Sequence, residues 1–190
     1  MIIDLTTAVD RHELAKRLQN QENRYLAAGH IGTHLDTYQK SNIPLEYFRC
    51  PGVLLDVSDI CETREIGIGD AAGVTIPENG FVLIRTARSE AEAYGTEAYF
   101  SNHPQVSQEA IEYLLRQKIR FIGIDCSGIR RGKEHEPADR LCEENGVYVI
   151  ENLSNLNQLK GTKEITVYVL WLPDEKATGL PCRVIAEFSE

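Results

Sequence analysis

The sequence predicts an α/β fold richer in strands than in helices, with a mixed sheet covered by helices. Three observations lead there. Apolar runs of roughly four to eight residues recur along the chain with little polar alternation, as strands buried on both faces do. Segments of helical period fall between them. No repeat, low-complexity run or linker divides the 190 residues, so residues 1–190 read as one domain with a sizeable core.

The elements follow in order. MIIDLT reads as a short apolar strand, and Val9 to Leu26 as a helix in which Leu14, Leu18 and intervening charges give the period. After Gly29 comes HIGTHLDTYQK, His30 to Lys40. GVLLDVSDI is a buried strand, and FVLIRTA, after the Pro77 to Gly80 turn, is another. SQEAIEYLLRQK is a helix capped by Ser107, with Glu109 and Glu112 near its start and Ile111, Leu114 and Leu115 on its apolar face. The strand IRFIGID ends on Asp125, residues Pro137 to Asn145 are helical, and GVYVIENL is a strand ending on Glu151. EITVYVLWL, a core strand holding Trp171, and PCRVIAEF close the chain as strongly strand-like segments.

Hydrophobic residues make up 42% and charged residues 26%, which sets a soluble globular protein as the expectation. A net charge of −9 argues against a nucleic-acid partner, and the only basic run, Arg130, Arg131 and Lys133, reads as a solvated loop. No apolar segment reaches the ~18 residues of a membrane helix. The N-terminus also lacks the basic start and long apolar run of a signal peptide. No membrane partner and a cytoplasmic location follow. Cys50, Cys61, Cys126, Cys142 and Cys182 are odd in number and form no CxxC pair, which fits reduced thiols.

The chemistry concentrates in HIGTHLDTYQK. On a helix His30 and His34 would share a face, but Asp36 would lie well round the cylinder, and Gly32 and Thr33 are poor helix formers. On a strand His30, Gly32, His34, Asp36, Tyr38 and Lys40 point to one side. Two histidines four residues apart on a flat strand would sit about 13 Å apart, too far for a shared ligand. The chain must therefore bend, and Gly32 is where it can. Two imidazoles and a carboxylate converging from a kinked strand suit zinc or manganese. Asp125 and Glu151, at strand ends, and Asp139, on the helix between them, are candidates to join the cluster.

The opening IIDLT, then HIGTHLD, VLIRT, YFSNHPQVSQEAIEYL, IGIDCSGI, VIENLSNL and GLPCRVIA occur in the order seen in the metal-dependent cyclase and hydrolase family. The chain resembles that family, which includes bacterial kynurenine formamidase and isatin hydrolase, over most of its length. The resemblance implies the swivelling β/β/α fold and a metal held by His30, His34 and Asp36. It also implies a second metal position at Asp139, where relatives carry a histidine, and at Glu151, which can bridge two ions. The family motif continues to a proline and a catalytic histidine, where this chain has Tyr38 and Lys40. Past the GID segment, relatives' serine and acid are Gly128 and Arg130.

From the resemblance we expect one or two divalent ions, zinc or manganese, an oxygen ligand at Asp139 favouring harder cations. The activity expected is metal-dependent hydrolysis of a small linear or cyclic amide by a metal-activated water, and the assembly a homodimer or homotetramer. Glu151 counts among the catalytic residues. Lys40 is a candidate to protonate the leaving nitrogen, and His135, four residues before Asp139, to replace a missing histidine as ligand or proton carrier. His103, in the NHP segment, reads as a structural hydrogen bonder and His12 as a surface helix residue. The competing reading, resting on the two absent histidines, is a catalytically impaired protein of the same fold that retains its metal.

Overall fold

The computed structural model describes residues 1–10 and 28–189. The strands are β1 (Ile2–Asp4), β2 (His34–Asp36), β3 (Arg49–Asp56), β4 (Phe81–Arg85), β5 (Phe121–Ile124), β6 (Tyr148–Glu151), β7 (Glu164–Trp171) and β8 (Gly179–Ser189). The helices are α1 (Ile68–Ala71), α2 (Arg88–Ala91), α3 (Glu97–Phe100), α4 (Gln108–Leu115) and α5 (His135–Glu144), with single turns of 3-10 helix between. The helix read over Val9 to Leu26, and His12 with it, lies outside the described residues, save that Val9 and Asp10 are irregular.

The eight strands of the described residues join one mixed sheet, which closes on itself as a barrel. β3, β4, β5 and β6 run parallel, as their apolar sequences require. The seam is β8: its first residues pair antiparallel with β2, and its later ones pair with β1 on one side and β7 on the other. Strand period 2 divides the apolar side chains between two cores. Leu35, Cys50, Phe81, Leu83, Phe121, Ile150, Val167, Val169 and Val184 fill the barrel. Their neighbours Val82, Ile84, Ile122, Ile124 and Val149 face outward against α4 and α5. Gly123 belongs to the filling of the barrel, since a Cβ there would lie 2.4 Å from the Phe81 ring.

Helix α4 starts where Ser107 accepts from the Ala110 amide at 3.2 Å, and it buries Ile111 and Leu114. Completely burying such a side chain stabilises the fold by about 1.5–3 kcal/mol. Helix α5 begins two residues earlier than the Pro137 predicted, at His135, because proline is tolerated in a first turn and does not have to be its first residue. That shift brings His135 onto the helix, one turn before Asp139 and on the same face.

Candidate metal centre

Leu35 and Ile150 point into the barrel, so His34, Asp36 and Glu151 point out of it. The register sets His34 directly opposite Glu151 across the β2–β6 pair. That pairing, local to two short strands, places an imidazole and a carboxylate side by side. Helix α5 packs over β6 and lowers His135 and Asp139 onto them.

Strand β2 is only three residues long. His30 is not on it; the chain turns at Gly32, whose φ is +56°, and brings His30 back over His34. A Cβ at Gly32 would lie 2.5 Å from a methyl of Val9. The expected bend is therefore present, achieved by a turn before the strand. Asn152 clamps it: its side-chain amide donates to the Gly32 carbonyl at 2.9 Å, and its own carbonyl accepts from the Thr33 hydroxyl at 2.7 Å and the Thr7 hydroxyl at 2.5 Å. Asn152 sits at φ +56°. Only this tolerance of the left-handed region, following a strand that ends on an acid, signals its role in the sequence.

The three donors of the first group lie close together. His30 Nδ1 is 3.2 Å from His34 Nε2 and 3.0 Å from Asp36 Oδ1, and His34 Nε2 is 3.5 Å from Asp36 Oδ1. Ligands held at about 2.1 Å in tetrahedral geometry are about 3.4 Å apart, so a single cation fits the triangle. His34 Nδ1 donates to the Gly32 carbonyl at 2.9 Å, which fixes the tautomer and leaves the Nε2 lone pair facing the cluster. Thr178 Oγ1, 2.9 Å from His30 Nε2, orients the other ring in the same way.

The second group is Asp36, His135, Asp139 and Glu151, with donor atoms all within 4.8 Å of one another. His135 Nε2 lies 3.0 Å from Glu151 Oε1 and 3.2 Å from Asp139 Oδ2, while Glu151 Oε2 is 3.5 Å from His34 Nε2. Glu151 thus turns one oxygen to each group. The room for the His135 ring comes from Gly128, at φ +114°, where a Cβ would stand 2.8 Å from His135 Cε1 and 2.9 Å from Nδ1.

Both oxygens of Asp36, both of Asp139, Glu151 Oε1 and His135 Nε2 are buried with no hydrogen bond of normal geometry. Within each group the donor atoms lie within 4.8 Å of one another, close enough to share one cation. The electrostatics agree. Burial holds His30 down to about 3 and also lowers His34, so both are neutral lone-pair donors. Burial, then the charges of Glu151 and Asp139, raises Asp36. Burial likewise raises Asp139. Burial would lower His135, but Glu151 and Asp139 raise it well above its usual value. Burial would raise Glu151, yet His135, and then His34 and His30, bring it below its ordinary range. Three buried carboxyl groups share one imidazole, two of them holding their protons more tightly than usual, and a divalent cation would let all three ionise as its ligands.

Two sequence candidates are placed elsewhere. Asp125 caps the end of β4, accepting from the Thr86 amide at 2.8 Å, the Thr86 hydroxyl at 2.6 Å and the Ala87 amide at 2.9 Å, and burial lifts it to about 6. Lys40 is exposed, and its ammonium donates to the Glu175 carbonyl instead of reaching the cluster. The substitution Lys40 for the expected histidine therefore does not bring a proton carrier to the donors. Around the cluster opens a cavity of about 1580 Å³. Its walls include His30, His34, His135 and Glu151, the aromatic rings of Tyr38, Tyr94 and Phe100, and the cations Arg131, Lys133 and Arg140. His103, 3% exposed, also lines it and donates from Nδ1 to the Pro104 carbonyl at 2.9 Å, the structural bond expected of it.

The described residues form a closed mixed barrel whose buried His/Asp/Glu cluster, on the wall of a cavity, is compatible with a divalent cation. The chain belongs to the cyclase family, whose model matches residues 3–130. Its fold is that of isatin hydrolase A from Labrenzia aggregata, solved with benzyl benzoate bound (23% identity, TM-score 0.75, covering 98% of this chain and 93% of that one). Isatin hydrolase A from Ralstonia solanacearum is similar over 83% of this chain and 71% of its own (23% identity, TM-score 0.69). A structure described as a potential metal-dependent hydrolase with cyclase activity matches 98% of this chain and 96% of its own (25% identity, TM-score 0.70). No curated protein sequence matches the chain. No described helix is long and apolar enough to cross a membrane.

Proposed function

We propose that the protein is a metal-dependent hydrolase that opens the C–N bond of a small linear or cyclic amide. The observation that carries this reading is the set of buried, unbonded carboxylate oxygens and oriented imidazoles on the wall of a large cavity. His30, His34 and Asp36 would hold one divalent ion, zinc or manganese, and His135, Asp139 and Glu151, with Asp36 shared, would hold a second. Such a cation supplies a water acidic enough to ionise near pH ~7 and polarises a carbonyl oxygen.

The chain's own groups do the rest. The Gly32 turn and the Asn152 clamp hold the His30 and His34 lone pairs on one point. Glu151, shared by both groups, keeps the two positions adjacent and offers a carboxylate to a water between them. Tyr94, Phe100 and Leu141 exclude water from the apolar part of a substrate, and Arg131 and Lys133 attract an anionic part. Isatin hydrolase, whose fold this is, acts by name on a cyclic amide, which supports a planar lactam or an aryl formamide as the substrate class.

Protein stripped of metal and reloaded with zinc or manganese should hydrolyse members of a panel of formamides and lactams, and Glu151→Gln should abolish turnover. The second reading, a metal-retaining binding protein without turnover, is favoured by one observation: Lys40 is turned away from the cluster. A loaded protein that hydrolyses no member of the panel supports that reading.

A further inference from the structure

The hydroxyl of Tyr38 is buried and bonds to no described residue. A phenol carries its hydroxyl into the interior at a cost unless a partner meets it, and such groups are uncommon enough in native proteins to need an explanation. The ring around it is well fixed. On one side the His30 ring lies 5.6 Å away, centroid to centroid, at an interplanar angle of 34°. The Arg140 guanidinium stands 5.4 Å from the ring centroid. The backbone on either side of Tyr38 is pinned to α5 through Glu143, whose Oε1 accepts from the Thr37 hydroxyl at 2.9 Å and the Ser41 amide at 3.0 Å, and whose Oε2 accepts from the Gln39 amide at 2.8 Å. A side chain held this firmly, with its polar end unsatisfied, lines the same cavity as His34, His135 and Glu151.

The carboxyls of the two donor groups, Asp36, Asp139 and Glu151, are acceptors, and the Tyr38 hydroxyl bonds to none of them. A phenol, protonated at neutral pH, has a hydrogen to give, and the acceptor must come from the cavity.

We propose that Tyr38 is the hydrogen-bond donor that receives the carbonyl oxygen of a ligand seated on the donor cluster. The inference rests on the hydrolase reading for its chemistry: when water attacks the carbonyl carbon, the carbonyl π pair moves onto oxygen, and the Tyr38 O–H strengthens its bond to that oxygen. The proton stays on Tyr38. Glu151 takes the proton that the attacking water gives up and passes it to the nitrogen; the oxygen then re-forms the carbonyl as the C–N bond breaks, its electron pair leaving on that protonated nitrogen, and Tyr38 returns to its initial state. A donor aimed at the developing charge acts more strongly on the transition state than on bound substrate.

The test is Tyr38→Phe in metal-reloaded protein, which removes one oxygen and keeps the ring between His30 and Arg140. The expected result is unchanged metal content and a melting temperature no lower than wild type, because no protein bond is lost. With it, kcat on hydrolysed amides should fall by about 10²-fold, with KM within a few-fold. Binding of acetohydroxamate, whose carbonyl oxygen can occupy the same place, should weaken about tenfold by calorimetry. Wild-type turnover and wild-type hydroxamate affinity in the variant would overturn the proposal, as would loss of metal, which would make Tyr38 a ligand, or a lowered melting temperature, which would make its role structural. If wild-type protein hydrolyses none of the amides, the hydrolase reading fails by itself. Acetohydroxamate then decides for Tyr38: weaker binding to Tyr38→Phe supports the donor, and equal binding refutes it.

Discussion

Replacing Gly128 by alanine should remove the second cation while sparing the first. The added Cβ would sit 2.8 Å from His135 Cε1, 2.9 Å from its Nδ1 and 2.9 Å from the Arg130 carbonyl oxygen. Ordinary carbon contacts lie at about 3.5–4.0 Å, so the imidazole must retreat by about 0.7 Å or more. The ring is rigid, and its far nitrogen, Nε2, which faces Asp139 and Glu151, moves with it. Metal–ligand bonds accept only about 0.2 Å of error, and loss of supporting geometry around a ligand typically weakens binding about 10–100-fold. At φ +114° an alanine is also strained, at a cost of about 1–3 kcal/mol in stability. Calorimetric titration of chelator-stripped protein with zinc or manganese, with elemental analysis of the product, should show two ions in wild type and one in both Gly128→Ala and His135→Ala. If Gly128→Ala binds two ions with wild-type affinity, the argument that the glycine makes room for a histidine ligand is wrong.

His34→Ala should empty the first position, because it deletes the imidazole between His30, Asp36 and Glu151, and elemental analysis should show the loss. In the metal-free protein His135, Asp36 and Asp139 all hold protons more tightly than usual. Cation uptake must release those protons, so affinity should fall as pH falls, and calorimetry in buffers of different ionisation enthalpy should report net proton release. Hydrogen bonds from Thr37, Gln39 and Ser41 hold Glu143, despite its burial, below its ordinary value of 4.5. Its stabilisation is therefore present above that value and is lost as pH falls through the lower folded value. Glu143→Gln should lower stability at neutral pH by about 1.5–3 kcal/mol and flatten that acid limb in thermal melts. Lys40→Met should leave metal content and turnover near wild type, since Lys40 binds the Glu175 carbonyl.

Local pattern revealed most of the scaffold. Apolar runs marked β4, β5, β6 and β7, and Ser107 marked the start of α4, because those signals depend only on neighbours in sequence. Closure of the sheet did not show, because it depends on β8 pairing with β1 and β2 along one edge and with β7 along the other, a long-range choice that no window contains. At the site, HIGTHLD announced three donors and the need for a bend. That the bend precedes the strand is set by Asn152, 120 residues from Gly32 in the chain. His135 could be named from its spacing to Asp139, but its partner Gly128 could not, since a close contact between a helix and a loop leaves no periodic trace. Lys40 shared the side of an imagined long strand with the ligands; ending β2 at Asp36 freed it to turn outward.

The central claim is that six side chains, His30, His34, Asp36, His135, Asp139 and Glu151, exist to hold divalent cation at the cavity wall. Anomalous diffraction at the zinc or manganese edge, from crystals of metal-reloaded protein, tests it most directly. The account predicts a peak about 2.0–2.2 Å from His30 Nδ1, His34 Nε2 and an Asp36 oxygen, and a second among His135, Asp139 and Glu151. A map without a peak at either place, with the six side chains hydrogen-bonded to water or to one another, would contradict it.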